Sequence, residues 1–314
     1  MTLSRTGAVP LAHLVRGAVM AITLALPCRA GAQQPPLPSG TQKADAATKG
    51  TTDVTKDQYQ GMDRKTAEES KDATDLSVSA GGLQSSGNSR LLAATLAEKF
   101  RLRRDSNQFR EALAANYGRT AAPGGPWETT VQNVQGMLRY DRFIGDFTLF
   151  LADQERNDKF QGLTLRSQID PGVGYYFLNQ KTLLLWTELG YDLLYDIRRD
   201  DSLAVLNADG SPVLDASGVP VKVDKTQTVH SGRLFLGYEH SLSSGAKLSA
   251  GIEYLHGLSD TGIYRVNSDV GVTANLWKSL GISFTFGERY ESKPLPGKKT
   301  LDTTTAVSLV YTLI

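Results

Sequence analysis

Charged residues in this chain recur four positions apart inside stretches where every second residue is apolar: Arg166 with Asp170, Glu188 with Asp192, Arg265 with Asp269. On an extended backbone, residues two or four apart point to the same side. These charges therefore share a wet face, and Arg101, Arg139, Arg233, Glu253 and Arg289 fall on equivalent faces of their own stretches. Signs in the set are close to balance. Charges confined in a narrow interior must pair or keep water. The set is expected either to lock a scaffold through ion pairs or to line a thin path for small polar solutes or ions.

Nucleophilic and acid–base chemistry has little to work with. The sequence holds four histidines and one cysteine. His13 is expected to leave with the N-terminal signal, and His240 is beside a short turn. His230 has Ser231 as its neighbour, but adjacent strand residues point to opposite faces and cannot form a nucleophile–base pair. His256 stands at the "HGLSDTG" loop with Ser259 and Asp260, where a solvated loop histidine is the simpler reading. No glycine-rich phosphate loop or dinucleotide fingerprint is present, so no cofactor is implied. A formal net charge of +1 lacks the basic excess of a nucleic-acid binder. In the near-repeat "VLNADGSPV" and "VLDASGVPV", Asn207, Asp209 and Asp215 lack the full carboxylate spacing of a calcium loop. The repeat reads as a hairpin extension whose valines pair and whose Asp209-Gly210 and Ser217-Gly218 turn.

The elements that must position the charges follow from the pattern. At the N-terminus Arg5, His13 and Arg16 precede the apolar run 17–27, and Ala30-Gly31-Ala32 supplies small residues for cleavage, the three parts of a secretory signal. Residues 1–32 are expected to be removed, and Pro27 before Cys28 argues against lipidation. Residues 33–75 have few large apolar side chains and mixed charge, the composition of a flexible periplasmic leader. Mean hydropathy is −0.26, and no later apolar run approaches the roughly 20 residues of a membrane helix.

Residues 76–314 alternate instead. In 163–177 the odd positions, from Leu163 and Leu165 to Tyr175 and Phe177, are mostly apolar, opposite Thr164, Arg166, Gln168 and Asp170. Leu189, Tyr191 and Leu193 oppose Glu188 and Asp192, and Phe284 and Phe286 oppose Thr285 and Arg289. About twelve such stretches begin near Leu76, Arg90, Gln108, Glu128, Gly145, Gln161, Thr182, Thr226, Ala246, Ile263, Leu280 and Leu301, an even number as single-chain barrels require. Connections alternate between short ("RDSN", "YDRFIG", "LNQK", "SLSSG", "LWKS") and longer ("GRTAAPGGPWE", "SKPLPGKK", 198–225), with the short first one, "SSGNS", as the exception. A soluble sandwich has no reason to alternate so. The expected fold is all-β, an antiparallel transmembrane β-barrel of about 12 strands in an outer membrane. Lipid would cover its apolar face, and the barrel-assembly machinery would read the Tyr311-x-Leu313 end. Hydrocarbon cannot satisfy an open edge, so the last stretch must pair with the first. Glu98 and Glu111 fall on the apolar parity, where a bulge, a register slip or proximity to the rim would each account for them.

Several motifs resemble the salt-induced outer-membrane protein family. They are Ser86-Gly87-Asn88-Ser89, Tyr140-Asp141-x-Phe143, Arg156 with Asp158 ahead of Arg166, Gly172-x-Gly174-Tyr175, Tyr290-x-Ser292-x-Pro294 and Asp302-Thr303. The resemblance runs from about Leu76 to the C-terminus and implies an outer-membrane barrel without an assigned activity or catalytic residue.

Overall fold

In the computed structural model, residues 72–85, 90–122 and 124–313 are described and lie in one compact unit. The expected signal and most of the leader, Ser86–Ser89 and Ile314 fall outside them. Twelve described strands form a closed barrel, each paired antiparallel with its neighbours in sequence and the last with the first. They are β1 (Asp72–Ser85), β2 (Arg90–Arg104), β3 (Asn107–Ala121), β4 (Glu128–Ile144), β5 (Phe147–Asp158) and β6 (Leu163–Asn179). The second half contains β7 (Leu183–Arg198), β8 (Thr226–Ser243), β9 (Ala246–Gly257), β10 (Tyr264–Asn275), β11 (Leu280–Glu291) and β12 (Leu301–Thr312). Closure sets Val78 opposite Tyr311 and Ala80 opposite Leu309, so the edge that hydrocarbon would leave unsatisfied does not exist.

Strand β1 opens at Asp72, ahead of the expected Leu76. The turns are tighter than the sequence suggested, because much of "YDRFIG" belongs to β4 and only Gly145 and Asp146 connect it to β5. Gly145 has φ 60° and Asp105, in the β2–β3 turn, φ 52°, the left-handed region that two-residue hairpins demand. These turns gather at one end, and the opposite end bears the longer loops. In the β7–β8 loop the near-repeat forms a three-way ring instead of one hairpin. Val213 N donates to Val205 O, Val221 N to Val213 O and Val205 N to Val221 O, the first two at 2.8 Å and the third at 2.9 Å.

The outward face is an apolar belt with an aromatic cluster toward each end, as expected of a sheet in a bilayer. Phe147, Tyr175 and Phe177 are in contact near the turn end. Tyr254, Tyr264 and Tyr290 form a row near the loop end, with His256 stacked on Tyr254. Leu149, Leu151, Val173, Leu189, Leu234, Leu236 and Val307 are exposed between them.

Two details correct the simple alternation. A register shift between Leu163 and Leu165 turns Leu163 inward, 1% exposed, and Thr164 outward. Glu98 and Glu111 are diagonal neighbours across β2 and β3, where pairing runs without a register shift. No bulge explains them, and they hold the outward parity. Asp153 shares it, opposite Leu138 of β4, which is itself opposite Glu111.

Candidate functional site

The inward side chains of β4 to β8 meet in the middle of the barrel, and a carboxylate organises them. Glu188 on β7 accepts from Arg139 on β4, Nη2 to Oε1 at 2.7 Å and Nη1 to Oε2 at 3.1 Å. Its Oε2 also takes Arg233 Nη1 of β8 at 2.9 Å. Arg233 Nε continues to Glu253 Oε1 at 2.6 Å, and Asn267 Nδ2 caps Glu253 Oε2 at 2.7 Å. Toward the turn end, Arg139 Nε reaches Asp141 Oδ1 at 2.8 Å, and Arg110 Nη2 donates to the other Asp141 oxygen at 3.1 Å. The chain of charges Arg110, Asp141, Arg139, Glu188, Arg233 and Glu253 is buried throughout. Like-charged Arg139 and Arg233 are tolerated together because Glu188 lies between them and the Phe150 ring faces both, 4.1 Å and 5.4 Å from their guanidinium carbons. Phe150 has room because Gly172 stands opposite it. A Cβ there would fall inside the ring's contact distance and 2.6 Å from Leu189 O.

Further toward the loop end, Arg265 Nη2 of β10 donates to Asp192 Oδ2 of β7 at 2.7 Å, and Arg166 forms a fork onto Asp196 at 2.8 and 2.7 Å. Arg166 also reaches Glu291 of β11 at 3.4 Å. Asp170 does not bond Arg166. It takes the amides of Gln154 and Gln168, near the long limit. Arg101 stands apart and donates to Asp75 at 2.6 Å. Asp269 and Arg289 are inward on adjacent strands, displaced by one inward position.

Every residue expected in the network is thus inward, but the pairs join elements distant in sequence. Arg110, Asp141, Asp196, Glu291 and Phe150 were missing from the expected set. Parity alone would have added Arg110, since it opposes Glu111, and Asp141, since it repeats Arg139. The histidines lie elsewhere. His230 is outward and bonds Tyr191, while Ser231 is buried on the opposite face. His256 is outward, 3.0 Å from the Tyr254 hydroxyl.

The network fills one side of the lumen. Toward the turn end, the opposite wall, formed by β9 to β12 and β1, has mostly small inward residues. Ser77, Ser79, Ser249, Gly271, Thr285 and Ser308 line a cavity of about 220 Å³ toward the turn end. A second cavity of about 90 Å³ opens at the loop end among Arg166, Gln168, Arg265, Asn267, Arg289 and Lys298. The two share a wall. On β10, Asp269 faces the first cavity and Asn267, the next inward position, faces the second. On β11 only Gly287 separates Thr285 from Arg289. A Cβ on Gly287 would meet only Ser268 O at 3.6 Å, so the space over it is open.

The loops beside the mouth are tied together. Lys293 donates to Asp260 at 2.6 Å, which with the Gly262 amide holds that carboxyl below the usual carboxylate range. Burial pushes the Lys298 ammonium down, against the attraction of Asp158, Asp201 and Asp302.

Comparison with known proteins identifies relatives at the level of fold. A model of the family described as "Protein of unknown function, DUF481" matches residues 78–313. No curated protein matches the chain. Among solved structures, the NanC porin covers 76% of this chain over its own full length, with 11% identity and a TM-score of 0.44. The KdgM porin covers 77%, also over its full length, with 8% identity and a TM-score of 0.40. An outer-membrane channel from Pseudomonas putida F1 aligns 95% of its length over 77% of this chain, with 11% identity and a TM-score of 0.40.

Proposed function

The chain belongs to the DUF481 family, whose function is unknown, and from that premise we propose that it is an outer-membrane barrel conducting small polar solutes or ions along an off-centre path. The observation that carries this is the shared wall of the two cavities, with nothing on β10 and only Gly287 on β11 between them. The ion-pair network braces the opposite side and keeps the path narrow. Hydroxyls and glycines leave room for water along the wall, and each cavity exceeds the roughly 10–15 Å³ that one water needs.

Single-channel recording in planar bilayers tests it. Wild type should give small, discrete conductance steps. Gly287→Trp should reduce them while leaving heat-modifiable mobility in detergent unchanged, because the new ring enters open lumen. Absence of steps in wild type, or steps unaffected by Gly287→Trp, overturns the path.

A second reading is supported by the network itself. A barrel whose centre is crossed by Arg139–Glu188–Arg233–Glu253 is also suited to be a passive envelope scaffold, and the resemblance to salt-induced proteins adds a stress-related role. Loss of envelope integrity in a deletion strain under salt, rescued equally by wild type and Gly287→Trp, would favour the scaffold.

A further inference from the structure

The two cavities differ in charge. Eight Lys and Arg side chains line the loop-end cavity against four Asp and Glu, whereas the turn-end cavity has Lys99 against Glu239 and Asp269. Part of the loop-end excess is internally compensated. Arg166 is held by Asp196 and Glu291, Arg156 by Asp158, Arg265 by Asp192 and Lys293 by Asp260. Lys299 makes no hydrogen bond or ion pair among the described residues, and Lys298 beside it makes no side-chain hydrogen bond there, although Asp158, Asp201 and Asp302 attract it. Both project from the β11–β12 loop at the mouth, with Arg289 on the wall below. Amides complete the lining. Gln135, Gln154, Gln168 and Asn267 can each donate and accept, which suits hydroxyl groups carried beside a charge.

We infer that the loop-end cavity is a capture site for small soluble anions, carboxylates or phosphates, preferably hydroxylated, with Lys299 and Lys298 at its mouth supplying the attracting charge. A mouth lined by one sign of charge between low-dielectric walls focuses the field and raises the local concentration of the opposite ion. The site deepens the channel reading and rests on it for passage but not for binding. The anion comes from solution and not from a lipid headgroup, because the cavity opens within the lumen and not onto the outward face.

The full-length protein in zwitterionic bilayers provides the test, with inorganic pyrophosphate as probe. Across a potassium chloride gradient the reversal potential should have the sign of chloride preference. Pyrophosphate added on the loop side should block the current, and the double variant Lys298→Gln/Lys299→Gln should weaken block about fivefold or more. Block should fade in 1 M salt, where the screening length falls to about 3 Å. Block requiring an anionic lipid leaflet would assign the site to headgroups and overturn the soluble ligand. A cation-selective wild type, or block indifferent to the double variant, also overturns the inference. If no current is found, titration calorimetry of pyrophosphate into the detergent-solubilised barrel separates the two readings. Binding weakened by the double variant keeps the site and removes the channel, and no binding removes both.

Discussion

Glu188 and Arg139 face each other as a two-bond fork across the lumen, from β7 to β4, although two strands separate them in the barrel wall. Neighbouring strands are already held by backbone ladders, so a side-chain pair between them adds little constraint. A pair across the lumen instead fixes the shape of the barrel's cross-section. Arg265 with Asp192 and Arg166 with Glu291 do the same at other levels.

Removing one member of this network should be costly, because both side chains are at most 4% exposed. Glu188→Ala leaves Arg139 and Arg233 facing each other, and the expected loss is about 3–5 kcal/mol. Reversible urea unfolding in vesicles measures it. A loss under about 1 kcal/mol would mean that water already replaces the carboxylate.

The outward carboxylates give the opposite sign. Glu98, Glu111 and Asp153 sit on the belt parity, where a lipid-facing charge costs up to a few kcal/mol and acids cost less than bases. Glu98→Leu and Glu111→Leu should each stabilise the barrel in bilayers by about 1 kcal/mol. Destabilisation by either would show that this face is not against lipid.

The architecture was legible because strand chemistry has a period of two. Twelve stretches, closure of the last on the first and the inward placement of all eleven expected charges follow from parity alone, and parity survives any error in pairing. Partners were not legible, since Arg166 meets Asp196 and Glu291, not Asp170, through a cross-section set by all twelve strands. Leu163 was misplaced because a bulge reverses parity without any sign in the local sequence. Nor could parity show the off-centre cavities, which arise from comparing residue size around the whole ring. The belt carboxylates break the pattern without a structural account.

The bulge makes its own prediction. Ile169→Arg, on the outward parity beyond the shift, should cost about 2–4 kcal/mol near the midplane and impair assembly. Leu163→Arg should instead place its charge at the loop-end cavity and assemble normally. Equal assembly defects in both would restore the uninterrupted alternation and remove the bulge.

The tie between Lys293 and Asp260 predicts a pH limit. Asp260 is held below its ordinary value by the hydrogen bond from Lys293 and the Gly262 amide. A carboxyl depressed on folding contributes fully above its unfolded value and loses that contribution as pH falls through the lower folded one. The clasp between the two loops should therefore persist at neutral pH and fail only below the usual carboxylate range. Carboxyl-carbon NMR should show Asp260 titrating below about 3.9 in wild type and moving up in Lys293→Gln. An unchanged midpoint would show that Lys293 does not hold it.

The ring of Val205, Val213 and Val221 gives the orientation test. It lies in the longest loop, at the end opposite the tight turns. In an outer-membrane barrel short turns face the periplasm and long loops face outward. A tag inserted after Gly210 interrupts no bond of the ring, because Gly210 has φ 85° at a turn tip and a Cβ there would meet nothing within 4 Å. The tagged protein should assemble with wild-type gel mobility and bind antibody on intact cells. Labelling that appears only after the outer membrane is permeabilised would invert the barrel. The basic cavity would then face the periplasm, and anion capture from outside the cell would be excluded on topology alone.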